Sequence, residues 1–203
     1  GGVMAVTFTN KAAREMVARL QAMLPLNVRG MWIGTFHGIC NRLLRAHHQL
    51  VGLPATFQIL DSSDQLSAIK RLCKANQWDD ERYAPKALQW FIAGCKEDGL
   101  RPDQVDAPDA DATRKREAYA LYQAQCEREG VVDFGELLLR AFELLRDHAS
   151  IREHYQHRFA HILVDEFQDT NRLQYAWLKL LGQGDHNALF AVGDDDQSIY
   201  AFR

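Results

Sequence analysis

Three short apolar runs, VMAVTF (Val3–Phe8), HILVDEF (His161–Phe167) and ALFAVGD (Ala188–Asp194), each stop abruptly in polar residues. Short apolar runs without alternation describe strands buried on both faces, as in parallel sheets covered by helices. After the first run the polar turn TNK opens a helix whose apolar positions Ala13, Met16, Val17 and Leu20 keep a 3.6-residue period up to Pro25. A fourth run, MWIGTF (Met31–Phe36), feeds a helix through Ile39, Leu43 and Leu44, and NRLQYAWLKLLGQG (Asn171–Gly184) is helical as far as Gly182 or Gly184. Strand followed by helix, repeated, is the pattern of a parallel α/β sheet.

Between these units, from about Leu60 to Arg158, only helical periodicity is legible. SSDQLSAIKRLCKAN opens with Ser62 three residues before Gln65, a capping-box spacing, and Pro85 suits the first turn of the next helix. RPDQVDAPDADAT (Arg101–Thr113) is a loop, followed by a helix from about Thr113 to Arg128 and another in DFGELLLRAFELLRDH. The expected architecture is an α/β sheet built from residues 1–36 and 159–203, interrupted by an all-α insertion at 37–158.

With 203 residues, 47% of them hydrophobic, the chain can bury a substantial core. It has no apolar stretch of membrane-spanning length, and GGVMAVTFTN lacks the features of a signal peptide, so neither export nor membrane insertion is expected. Cys40, Cys73, Cys95 and Cys126 form no CxxC pair and are expected as free thiols of a reducing compartment. The net charge of -3 conceals an asymmetry: residues 1–60 carry six Lys/Arg and one Glu, whereas 161–203 carry three Lys/Arg and seven Asp/Glu. One end suits an anionic polymer, the other a cation.

Asp165 and Glu166 fall at the carboxyl end of a presumed strand, the edge where open α/β sheets bind ligands. A carboxylate there can hold Mg2+ while its neighbour accepts a proton from an attacking water; capping of a helix beginning near Thr170 or Asn171 would place the same acids equally well. Gln197, released after the last strand, could offer its amide to a phosphate oxygen. Tyr200 and Phe202 share one face of an extended backbone and could stack on bases. Phe8 ends the first strand beside Thr9, Asn10 and a helix N-terminus, a setting for phosphate oxygens or for ordinary capping, and Thr35 and His37 in GTFHG repeat it. His154, His157 and His161 share a helical spacing but lack a fourth ligand, and NRLLRAHHQL is a basic amphipathic face open to phosphate contact.

Taken in order, TFTNKAAREM, GTFHGICNRLLRAHH, VDFGELLLRA, ILVDEFQDTN and AVGDDDQSIYAFR resemble successive motifs of superfamily 1 DNA helicases of the UvrD, PcrA and Rep type, closest to the UvrD group. The resemblance covers essentially the whole chain. It implies a partial RecA-like P-loop NTPase sheet with a helical insertion, using ATP and Mg2+ to move 3' to 5' along single-stranded DNA. It further implies single strands and duplex junctions as partners, with DNA-repair proteins, in a bacterial cytoplasm at the nucleoid and away from membranes. By that resemblance Asp165, with Glu166, serves Mg2+, Glu166 activates water, Gln197 senses the terminal phosphate and Gln168 links the nucleotide to the DNA. Phe8 and Tyr200 form a base pocket, while Phe202, Arg203, Asn10, Thr35 and His37 hold the strand.

The family also implies a GxxxxGK[ST] loop before TFTNKAA, and no such sequence occurs here, so the chain is expected to be a fragment without ATPase activity of its own. Phe202 stands where the UvrD group usually has tryptophan, a smaller stacking face. Two other readings stay open: a non-catalytic single-strand-binding or scaffold module on the same fold, and part of a helicase-nuclease subunit.

Overall fold

The computed structural model describes residues 2–23, 30–78, 83–185, 187–191 and the backbone of 192, 200 and 201. In chain order the elements are β1 (Gly2–Thr7), α1 (Asn10–Met23), β2 (Trp32–Thr35), α2 (Phe36–Ala46), β3 (Gln58–Leu60), α3 (Ser62–Ala75), α4 (Pro85–Glu97) and α5 (Ala110–Glu129). They continue with β4 (Val131–Asp133), α6 (Phe134–Asp147), α7 (Ala149–Arg158), β5 (Phe159–Asp165), α8 (Arg172–Gly182), β6 (Ala188–Val192) and β7 (Tyr200–Ala201). Two compact units result: Gly1–Ala46 with Arg140–Arg203, and His47–Leu139.

The first unit holds the sheet, ordered β2-β1-β5-β6-β7. The first four strands are parallel, as their apolar character requires; β7 alone pairs antiparallel, Ala191 opposite Tyr200. The middle of β1, Met4, Ala5 and Val6, is inaccessible to solvent, as are Ile162 and Val164 of β5. Helix α2 buries Phe36, Ile39, Cys40, Leu43 and Leu44, two successive turns of one apolar stripe. Trp177 of α8 meets Phe36 edge-on at 6.0 Å. Asn187 ties α7 to the sheet, its amide donating to the carbonyls of Gln156 and Phe159 at 2.6 Å each.

The second unit, His47–Leu139, is narrower than the all-α insertion expected at 37–158, and beside its helices β3 and β4 form a two-stranded parallel sheet, Ile59 opposite Val132. Three-residue strands are too short to impose a period, so the sequence pattern cannot reveal them. The cap of α3 is also one residue earlier than the spacing of Ser62 and Gln65 suggests, because Asp61 accepts the Asp64 N–H at 2.7 Å. The core gathers Ile69, Cys73, Leu88, Ile92, Cys95, Tyr119, Tyr122 and Cys126. All four cysteines are buried and outside any disulfide; burial raises the Cys95 and Cys126 thiols to about 11, so neither ionises at neutral pH.

Within this unit the start of α6 lies tightly against α4. A methyl group added at Gly135 would sit 3.3 Å from both Cβ and Cδ of the buried Lys96. Gly135→Ala is therefore expected to cost about 1–2 kcal/mol through overpacking, read as a lowered urea midpoint with an unchanged m-value.

Candidate functional site

Parallel pairing brings the strand ends to one edge. Thr7 is opposite Thr35 at the ends of β1 and β2, and Asp165 is opposite Val192 at the ends of β5 and β6. The residues that follow β1, β2 and β5 are the ones singled out by sequence: Phe8 and Asn10, His37, and Glu166 with Gln168. Tyr200 is placed beside β6 by its pairing with Ala191. Gln197, Phe202 and Arg203 lie outside the described residues.

Asp165 and Glu166 are half-buried, and they do not cap α8. That cap is Asn171, in a reciprocal box: it accepts the Gln174 N–H at 2.8 Å while the Gln174 side chain accepts the Asn171 N–H at 3.0 Å. The capping explanation for the acids therefore fails. Glu166 instead adopts a left-handed conformation, φ 56° and ψ 45°, which costs a residue with a side chain of order 1 kcal/mol or more. What holds it there is the following turn: its carbonyl accepts the Asp169 N–H at 2.9 Å, and its Oε2 accepts the Gln168 amide at 2.6 Å. The bend turns the chain out of β5 at the strand end, and Gln168 bonds directly to the acid.

For Thr9 and Thr35 the capping explanation holds. Thr9 Oγ1 accepts the Ala12 N–H at 3.1 Å, and Thr35 Oγ1 accepts the Gly38 N–H at 3.0 Å. Each hydroxyl fixes a helix entry and retains a proton to donate. Phe8 packs its ring 5.2 Å from Phe36, which is fully buried and braces it. His37 lies in the first turn of α2; its residue is exposed, yet protein packed around the imidazole disfavours the charged form and lowers its pKa. At neutral pH it is therefore a neutral hydrogen-bonding group.

The three histidines do not converge. His154 packs edge-on to Tyr155, His157 Nδ1 lies 2.7 Å from the Glu153 carbonyl, and His161 stacks on Phe190 at 6.2 Å. Among the described residues no group of three or more His, Cys, Asp or Glu side chains is placed to hold a metal. Asp165 and Glu166 nevertheless suit a hard cation of the Mg2+ type, which takes one or two carboxylates and draws its other oxygens from phosphate and water.

A feature missed by sequence reading is a buried ionic cluster in the second unit. Lys96 Nζ lies 2.8 Å from Asp133 and 2.9 Å from Glu136, and Glu136 also pairs with Arg101 at 2.9 Å. Asp133 accepts three hydrogen bonds on Oδ2, from Lys96, Tyr122 and Gln65, and one on Oδ1 from the Glu136 N–H. The only sequence signal was acids at the head of an apolar helix, in VDFGELLL, which also describes a solvent-exposed cap.

The fold and this edge define an α/β protein that carries two adjacent acids at the carboxyl end of one strand and aromatic and amide groups at the ends of its neighbours. The N-terminal domain of the UvrD/REP helicases matches residues 1–203, and the chain belongs to that family. It is 52% identical to DNA helicase II of Haemophilus influenzae over 210 residues, covering 100% of this chain and 28% of that protein. DNA helicase II of Escherichia coli is 51% identical over 202 residues, with 99% and 28% covered. The ATP-dependent DNA helicase PcrA of Leuconostoc citreum is 40% identical over 204 residues, with 99% and 27% covered. The chain thus spans little more than a quarter of the length of these relatives.

Proposed function

We propose that this chain is part of the motor of an ATP-dependent DNA helicase that moves 3' to 5' along single-stranded DNA, in the service of DNA repair. The observation carrying this reading is the convergence of Asp165, Glu166 and Gln168 with Phe8, Asn10, Thr35 and His37 on one edge of a parallel sheet. Asp165 and Glu166 hold the Mg2+ of bound ATP, which neutralises charge on the phosphates. Glu166, at the bend after β5, accepts the proton of the attacking water. Gln168, bonded to Glu166, relays the state of that acid along the edge, and Gln197 contacts the terminal phosphate. Phe8 and Tyr200 receive a base, Phe202 and Arg203 grip the strand, and Asn10, Thr35 and His37 donate to its backbone.

Stacking and backbone contacts read no sequence, so the affinity is expected to be sequence-independent and to fall with salt. The decisive test compares two proteins. One of the relatives' full length carrying this chain is expected to hydrolyse ATP faster when single-stranded DNA is added. The 203-residue chain, which contains no GxxxxGK[ST] sequence, is expected to show no such turnover. DNA-stimulated turnover by the short chain would overturn the assignment of phosphate binding to a loop outside it. Absence of turnover in the long protein would favour a non-catalytic module.

A further inference from the structure

A groove of about 340 Å³ runs between α1, β2 and α2, and its walls include Asn10, Arg14, Trp32, Thr35, Gly38 and Arg42. Asn10 and Thr35 have a place on the proposed DNA track, whereas Arg14 and Arg42 have none. Both arginines are exposed, and among the described residues no acidic one lines the groove. Glu15, next to Arg14 in the chain, faces a different groove with Arg19 and Asp165. Two guanidinium groups without a carboxylate among them favour an anionic ligand.

The position of Arg42 is set by stacking. Its Cζ lies 4.0 Å from the centre of the Trp32 ring, and Trp32 is 5% exposed and held by Tyr155 and Phe159 at 5.5 and 5.3 Å. A stacked guanidinium keeps its in-plane N–H groups available and loses less freedom on binding than a mobile one. Arg14 lies four residues into α1 from Asn10, about one helical turn, and Arg42 six residues into α2 from Phe36, somewhat under two turns, so each wall carries a cation downstream of its helix start.

We propose that Arg14 and Arg42 form a phosphate clamp for the backbone of single-stranded DNA, Arg14 about one helical turn beyond Asn10 and Arg42 about two turns beyond Thr35. The proposal rests on the reading of this edge as a DNA track. It adds a pair of charged contacts beside Asn10 and Thr35 and singles out Arg42 among the basic residues of NRLLRAHHQL.

The test is salt-dependent binding of a labelled oligothymidylate to a protein of the relatives' full length that carries this chain, with Arg14→Gln and Arg42→Gln made singly and together. Each single variant is expected to flatten the plot of log affinity against log salt by about 0.7, equivalent to about fivefold weaker binding at 0.1 M salt relative to 1 M. The double variant is expected to lose about twice that slope, equally on a mixed-sequence oligonucleotide. Arg42→Lys is expected to keep the slope. Should Arg42→Gln fail to fold, Arg14→Gln carries the test, since its side chain is exposed. Wild-type binding with unchanged slopes in both variants, or a loss confined to duplex DNA, overturns the clamp while leaving the track intact. Failure of the wild-type protein to bind single strands overturns the track itself, and the clamp with it.

Discussion

Replacing Glu166 by Gln in a protein of the relatives' full length is expected to lower the rate of DNA-stimulated ATP hydrolysis by about 100-fold or more. Affinity for single-stranded DNA is expected to stay within about twofold. The reasoning begins with the backbone. A side-chain-bearing residue is held at φ 56° only if the surrounding structure determines it, and here the Asp169 N–H on the Glu166 carbonyl and the Gln168 amide on Oε2 do so. Glutamine has nearly the same size and can still accept from Gln168, so the bend and the DNA side are preserved while the proton acceptor is lost. Gln168→Ala is expected to cost far less, about tenfold, because it removes a positioning contact and leaves the carboxylate. A Glu166→Gln protein with turnover within tenfold of wild type would end the assignment of Glu166 as the base. So would a Gln168→Ala loss equal to that of Glu166→Gln.

Much of this geometry was legible in the chain because it depends on local rules. An apolar run buried on both faces reads as a covered strand, and polar residues after it emerge at its end, which put Asp165 with Glu166, Phe8 and Thr35 each at the end of a strand; only the family resemblance joined them in one site. What escaped were features that local patterns do not encode. Gln58–Leu60 and Val131–Asp133 are too short for a period, and only their mutual pairing makes them strands. Residues 37–46 and 140–158, expected in the helical insertion, belong to the compact unit of the sheet, and helical periodicity alone cannot say against which unit a stripe is buried. Nothing in the identity of Glu166 signals positive φ, since glycine or asparagine would be the ordinary occupant. Lys96 was the least legible, since lysine is among the residues least often buried, and its partner Asp133 is 37 positions away.

That lysine has the largest expected effect on stability. Lys96→Met is expected to destabilise the protein by about 3–5 kcal/mol in urea unfolding, although methionine fills a similar volume. The apolar replacement is not itself costly; the loss comes from leaving Asp133 and Glu136, 4% and 2% exposed in their side chains, without the ammonium between them. Neutralising both acids in the same protein, Asp133→Asn with Glu136→Gln, is expected to recover more than half of the loss. A cost below about 1 kcal/mol for Lys96→Met alone would show that the cluster is well screened. The pH dependence has a definite sign. Burial by itself lowers the pKa of Lys96, but Glu136 and Asp133 more than offset it and hold the pKa above the ordinary 10.5. A raised pKa means that the folded state binds the proton more tightly. The contribution of Lys96 is therefore fully present below about pH 10.5 and is lost only as the pH climbs beyond it. The gap in stability between wild type and Lys96→Met is expected to stay constant from about pH 6 to 9 and to narrow above 10.5, whereas narrowing between 6 and 9 would mean that the ammonium is not held by its two carboxylates.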